Sequence, residues 1–201
     1  MPKPFSRLFR VTSSIYPILK FVSDIFLSFL LLLFVSPLFA AISFAIFLSD
    51  FRSPFYCSRR IGQFGIPFTL FKFRTMPVGT PLVVSTSPLV KTTRMGSFLR
   101  RLSLDELPQL INVLLGQMSL VGPRPCLVSQ TELISSRSSN HSLSLRPGLT
   151  GWAQVNSYSG MGESVKADLD GDYYLLRSFP FDLYILLFRT PCYLLSPPPV
   201  Y

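Results

Sequence analysis

From Ile25 to Leu48 the chain runs 24 residues without a charge, between Asp24 and Asp50. As a helix that run would measure about 36 Å, enough to cross a hydrocarbon core of about 30 Å. It exceeds the apolar region of a signal peptide, and no A-x-A cleavage site follows it, so a retained membrane segment is predicted. Ser36 and Pro37 fall at its middle, where a proline removes a helical hydrogen bond. Basic residues lie on both sides, Lys3, Arg7, Arg10 and Lys20 before it and Arg52, Arg59 and Arg60 after it, so neither flank reads as translocated. The pattern therefore predicts a re-entrant helix-break-helix, broken at Ser36 and Pro37, that enters and leaves by one face. A Pro-kinked anchor is the alternative.

The rest of the 201 residues fits a single further domain, giving 1–50 as basic N-terminus and membrane-inserted segment and 51–201 as one cytosolic domain on the membrane surface. Eighteen prolines and 11 glycines interrupt the chain too often for several spanning helices. Cys57, Cys126 and Cys192 have no disulfide or zinc spacing, and the single histidine, His141, reads as a solvated loop residue. Alternation at 68–74 predicts a strand, 77–92 reads as a loop, and helices are predicted around 94–102 and from Asp105 to Leu115. The serine-rich stretch 129–145 reads as mobile, and 181–195 as apolar sequence suited to membrane or core. The predicted fold is α+β, mainly helical, with interfacial helices.

The chain carries a net charge of +9. Between residues 51 and 131 there are ten basic side chains and two acidic ones, Asp105 and Glu106, which are adjacent. An anion-attracting surface with one carboxylate pair suits Mg²⁺ and phosphoryl transfer. Ser103 to Glu106 also matches a capping box, and both readings stay open. No P-loop or Rossmann glycine pattern occurs, so a nucleotide would be held by arginines and loop amides. The run from Asp168 to Asp172 reads as an exposed acidic turn, with the D-x-D of a glycosyltransferase as a second reading. The basic residues form no run and no nucleic-acid module is present.

Four stretches, KFRTM at 72–76, GSFLRRLSLDELPQLINVL at 96–114, MSLVGPRP at 118–125 and RPGLTGWAQVN at 146–156, closely resemble the bacterial sugar transferase family. These are the monotopic polyprenyl-phosphate phosphoglycosyltransferases, and the resemblance extends from about Lys20 to about Thr190. It implies transfer of a sugar 1-phosphate from a nucleotide diphosphate sugar, such as a UDP-sugar, to polyprenyl (undecaprenyl) phosphate, releasing nucleoside monophosphate. By position it makes Asp105 the nucleophile and, with Glu106, a ligand of Mg²⁺. Arg100 and Arg124 would hold phosphate oxygens, with Lys72, Arg74 and Arg146 as weaker candidates. The family's membrane element is a re-entrant helix broken at a Ser-Pro pair, which matches Ser36-Pro37. A place on the cytoplasmic face of the bacterial inner membrane, among membrane lipids, is implied as well, with oligomeric state open, a homo-oligomer included. Departures such as Ser58, and Ser157-Tyr158 after the asparagine, motivate a second hypothesis, a catalytically idle membrane-anchored scaffold for glycan assembly.

Overall fold

The computed structural model describes residues 15–77, 92–158 and 160–195. The predicted loop at 77–92 lies almost wholly outside them. Helix α1, Tyr16–Asp50, is followed by an antiparallel hairpin of β1, Phe55–Ile61, and β2, Pro67–Phe73. Helix α2, Arg94–Arg101, a 3₁₀ turn over Leu104–Glu106 and helix α3, Gln109–Leu114, come next. Strand β3, Ser119–Val121, pairs in parallel with β4, Gly148–Thr150, around helix α4, Thr131–Ser139. Helices α5, Trp152–Val155, α6, Glu163–Leu176, α7, Phe179–Tyr184, and α8, Thr190–Leu195, complete a fold that is mostly helical with little sheet.

Helix α1 is the one described helix long and apolar enough to cross a membrane, and only 11% of its most apolar window is buried. That separates it from the core helix of a soluble protein. Leu33 and Phe34 are 63% and 84% exposed, a surface the hydrophobic effect drives toward lipid.

Helical backbone runs from Tyr16 through Ser36 and Pro37 to Asp50, at the place where the sequence predicts the break of a re-entrant segment. Pro37 has no N–H for the carbonyl of Leu33, four residues before it, and the Ser36 hydroxyl donates to that oxygen instead, at 2.8 Å. The serine thus repairs the hydrogen bond its neighbour removes.

One face of α1 packs on the domain along its length. At its start Tyr16 OH and Lys20 Nζ each donate to Asp182 Oδ2 at 2.9 Å, and Tyr173 OH donates to Asp182 Oδ1 at 2.6 Å. One turn on, Ser119 Oγ donates to Asp24 Oδ2 at 2.6 Å, so the acid just before the uncharged run is buried against β3. Leu32 and Val35 lie against the core of Leu110, Val121, Trp152, Tyr173, Phe181 and Ile185. Ile42 and Ile46 pack with Phe73 and Leu99, and Asp50 meets Arg74 at 2.6 Å. The domain therefore holds both ends of a helix about 52 Å long.

Three local expectations are corrected. The serine-rich 129–145 stretch contains α4 and a 3₁₀ turn at Ser142–Ser144, because Leu133 and Arg137 give it a buried face. The acidic run from Asp168 to Asp172 lies inside α6, with Asp170 fully buried and Asp168 exposed. The helix expected from Asp105 starts only at Gln109, and Ser103 makes no side-chain cap: its left-handed backbone, φ 55°, turns the chain ahead of a separate 3₁₀ turn.

Candidate active site

Asp105 and Glu106 sit on the 3₁₀ turn between α2 and α3, both largely withdrawn from solvent. Lys72, near the end of β2 and opposite Tyr56, reaches over this turn. Its Nζ lies 2.7 Å from Glu106 Oε1 and 3.8 Å from Asp105 Oδ2. Arg124, on the segment after β3, brings Nη2 to the same Oε1, also at 2.7 Å, with half its side chain exposed. Glu106 thus bonds two cations where a capping box would send it to the Ser103 amide.

The two carboxyls end in opposite electrostatic states. Burial raises Glu106, but Arg124 and Lys72 outweigh it and hold the group at about 2. For Asp105 burial dominates and lifts the group above its ordinary value, against the pull of Lys72 and with the push of Glu106. Among the described residues no hydrogen bond falls on either Asp105 oxygen or on Glu106 Oε2. Carboxylate oxygens are hard donors, a set that fits Mg²⁺, which binds through one or two carboxylates plus substrate phosphates and water.

Two devices aim the turn. Asn112, on α3 and fully buried, accepts from the Phe71 N–H at 3.0 Å and donates to the Thr69 carbonyl at 2.7 Å. It pairs with the open edge of β2 as another strand would, fixing Lys72 against the helix that follows the carboxylates. Thr75 accepts from Arg100 Nε at 2.9 Å through its hydroxyl and takes the Thr93 N–H on its carbonyl at 3.0 Å. A Cβ on Gly96 would lie 2.1 Å from that carbonyl, so only glycine lets α2 approach so closely.

The structure therefore gathers Asp105, Glu106, Lys72 and Arg124, with Arg100 close enough to act on Asp105 electrostatically. Two candidates lie elsewhere. Arg74 is taken up by Asp50, and the Arg146 guanidinium stacks 4.2 Å over the Phe21 ring of α1. Trp152 is a core residue, 7% exposed. The D-x-D reading loses its second acid, because Asp170 is enclosed with Arg137. Arg60, read in the sequence only as a basic flank of the apolar run, lies in the field of Arg124, and burial and that charge lower its guanidinium. Its signal was a second arginine on the strand face that carries Lys72.

Residues 15–196 match the family model described as bacterial sugar transferase. The chain is 38% identical over 186 residues to the UDP-glucose:undecaprenyl-phosphate glucose-1-phosphate transferase of Escherichia coli (strain K12), covering 87% of this chain and 40% of that protein. It is 37% identical over 191 residues to the exopolysaccharide production protein ExoY of Sinorhizobium fredii, covering 86% and 84%. It is 43% identical over 133 residues to the uncharacterized sugar transferase EpsL of Bacillus subtilis (strain 168), covering 66% and 65%. Among these relatives the glucose-1-phosphate transferases are the long ones, and the chain spans between 33% and 40% of three of them.

Proposed function

This chain belongs to the bacterial sugar transferase family, and we propose on that ground that it transfers a sugar 1-phosphate from a UDP-sugar to undecaprenyl phosphate, starting the assembly of a glycan. The observation that carries the reading is the pair Asp105 and Glu106. One carboxylate is buried, with Lys72 Nζ 3.8 Å away, and its neighbour is bonded to two cations at 2.7 Å.

In the proposed reaction an Asp105 oxygen attacks the phosphorus bearing the sugar. The bond to the nucleoside monophosphate breaks, and that group leaves with the electron pair. The phosphate oxygen of undecaprenyl phosphate then attacks the same phosphorus and expels the Asp105 carboxylate, giving a polyprenyl diphosphate sugar. Covalent transfer lets a soluble donor depart before a lipid acceptor arrives. Burial raises the proton affinity of Asp105, which marks a more basic, hence more nucleophilic, carboxylate. Glu106 holds Lys72 and Arg124 in place, and Arg124 and Arg100 meet phosphate oxygens, where a guanidinium can bond two at once. Mg²⁺, held by Asp105 and Glu106, would neutralise charge on the diphosphate.

Because one domain holds both ends of α1, a perpendicular crossing would carry buried charges such as Asp24 and Asp182 into the bilayer. We therefore place the helix as entering and leaving by the cytoplasmic face. The test of activity is incubation of the purified chain with Mg²⁺, undecaprenyl phosphate and a panel of UDP-sugars, with identification of the released nucleotide. Repeated turnover to UMP that depends on lipid and on Asp105 supports the reading. UDP points to direct glycosyl transfer, and silence across the panel from folded protein favours the scaffold.

A further inference from the structure

Arg137 on α4 and Asp170 on α6 form an ion pair with side chains only 6% and 1% exposed. Arg137 Nε and Nη2 both reach Asp170 Oδ2, at 2.9 and 2.7 Å. The remaining nitrogen, Nη1, donates to the main-chain carbonyl of Arg124 at 2.9 Å. The two helices are clamped nearby without its help, since Asn140 Nδ2 donates to the Ala167 carbonyl at 2.6 Å. Asn140 also fills the space where a Cβ on Gly171 would lie.

A buried ion pair is a poor device for stability alone, because desolvation consumes most of its attraction and an apolar pair would pack helices as well. What the arginine adds is a donor for a carbonyl that has few other sources. Arg124 lies between Pro123 and Pro125, neither of which has an N–H, so this segment is anchored through its carbonyls. Pro123 O takes the Gly148 N–H at 2.8 Å and Cys126 O takes the Ile61 N–H at 3.0 Å. Between these two backbone bonds, Arg124 O is held by a side chain.

We infer that Arg137, oriented by Asp170, is a positioning residue for the transfer proposed above: it fixes the main chain at Arg124 so that the Arg124 guanidinium meets Glu106 and the donor phosphate. The role rests on that functional reading. The anchoring itself does not.

The test uses the full chain in detergent or nanodiscs, with Arg137→Lys, Asp170→Asn, Arg124→Ala and the Arg137→Lys/Arg124→Ala double variant. Lysine keeps a charge for Asp170 but cannot bond the carboxylate and the carbonyl from one rigid plane. Asparagine keeps the shape of Asp170, and serves if the lysine variant does not fold. Amide exchange read by mass spectrometry should quicken at least about tenfold at Arg124, Cys126 and Leu127, with α4 and α6 little changed. Transfer should fall about tenfold or more, as for a lost hydrogen bond to a charged group. That loss should vanish in the Arg124→Ala background, because the anchor acts only through Arg124.

Equal losses in both backgrounds would overturn the positioning role and leave a structural ion pair. Unchanged exchange at Arg124 in both the lysine and asparagine variants would overturn the anchoring. A wild-type chain that transfers nothing would remove the catalytic role together with the functional reading, while the exchange measurement would still decide whether Arg137 holds Arg124.

Discussion

Lys72 Nζ stands 2.7 Å from Glu106 Oε1, and this contact ties a hairpin strand to a turn 34 positions away. It closes the site from one side while Arg124 closes it from another. Both cations share one oxygen of Glu106, and Lys72 also lies 3.8 Å from Asp105 Oδ2.

Asp105→Asn should lower transfer by at least about a thousandfold, the scale of losing a nucleophile. The protein should remain folded. Burial raises the proton affinity of Asp105, so its ionised form opposes folding above the ordinary carboxylate range. The amide removes that charge, and the melting temperature at pH 7 should stay level or rise. Wild-type turnover from folded Asp105→Asn protein would rule out the nucleophile assignment.

Glu106→Gln should behave in the opposite way. Glu106 is held at about 2, so the stability it contributes is present above the ordinary glutamate value of 4.5 and is lost as pH falls toward 2. At 1.36 kcal/mol per unit this is about 3 kcal/mol. Denaturant unfolding at pH 7 should show a loss of that order, shrinking toward zero at low pH. A pH-independent difference would show that Lys72 and Arg124 do not set the charge of Glu106.

Asn112→Leu should cost about 2–4 kcal/mol, since it strands the Phe71 N–H and the Thr69 carbonyl in a buried place. Transfer should fall further than stability predicts, because Lys72 then loses its fixed height above Asp105. Equal stability of the variant and wild type, measured by urea unfolding, would remove Asn112 from this role.

Single cysteines at Ile15 and Arg52, in a background lacking Cys57, Cys126 and Cys192, should both resist an impermeant thiol reagent added outside intact cells. Both should react after the membrane is opened. Labelling of one position alone from outside would show that α1 crosses the bilayer.

The carboxylate pair, its excess of arginines and the apolar run were legible in the sequence because each is local. Charge, hydropathy and adjacency need no partner to be read. The strand at 68–74 was legible for the same reason, and the structure shifts it by one residue at each end, to Pro67–Phe73. That the backbone stays helical at Pro37 was not legible, because the rule that proline interrupts helices takes no account of a hydroxyl placed to restore the missing bond. The acidic run at 168–172 misled because a helix turns alternate carboxyls to opposite sides, and the burial of one depends on Arg137, 33 residues earlier.

What the sequence determined by itself was the inventory: an apolar helix, a basic domain and one adjacent pair of acids in the family's motif order. Only the tertiary structure decided which cations reach those acids. Lys72 and Arg124 converge on Glu106, whereas Arg74 and Arg146 are drawn off to Asp50 and Phe21 on α1. An arginine's charge is written in the chain, but its partner depends on which surfaces fold together, and here the packing of α1 along the domain makes that choice.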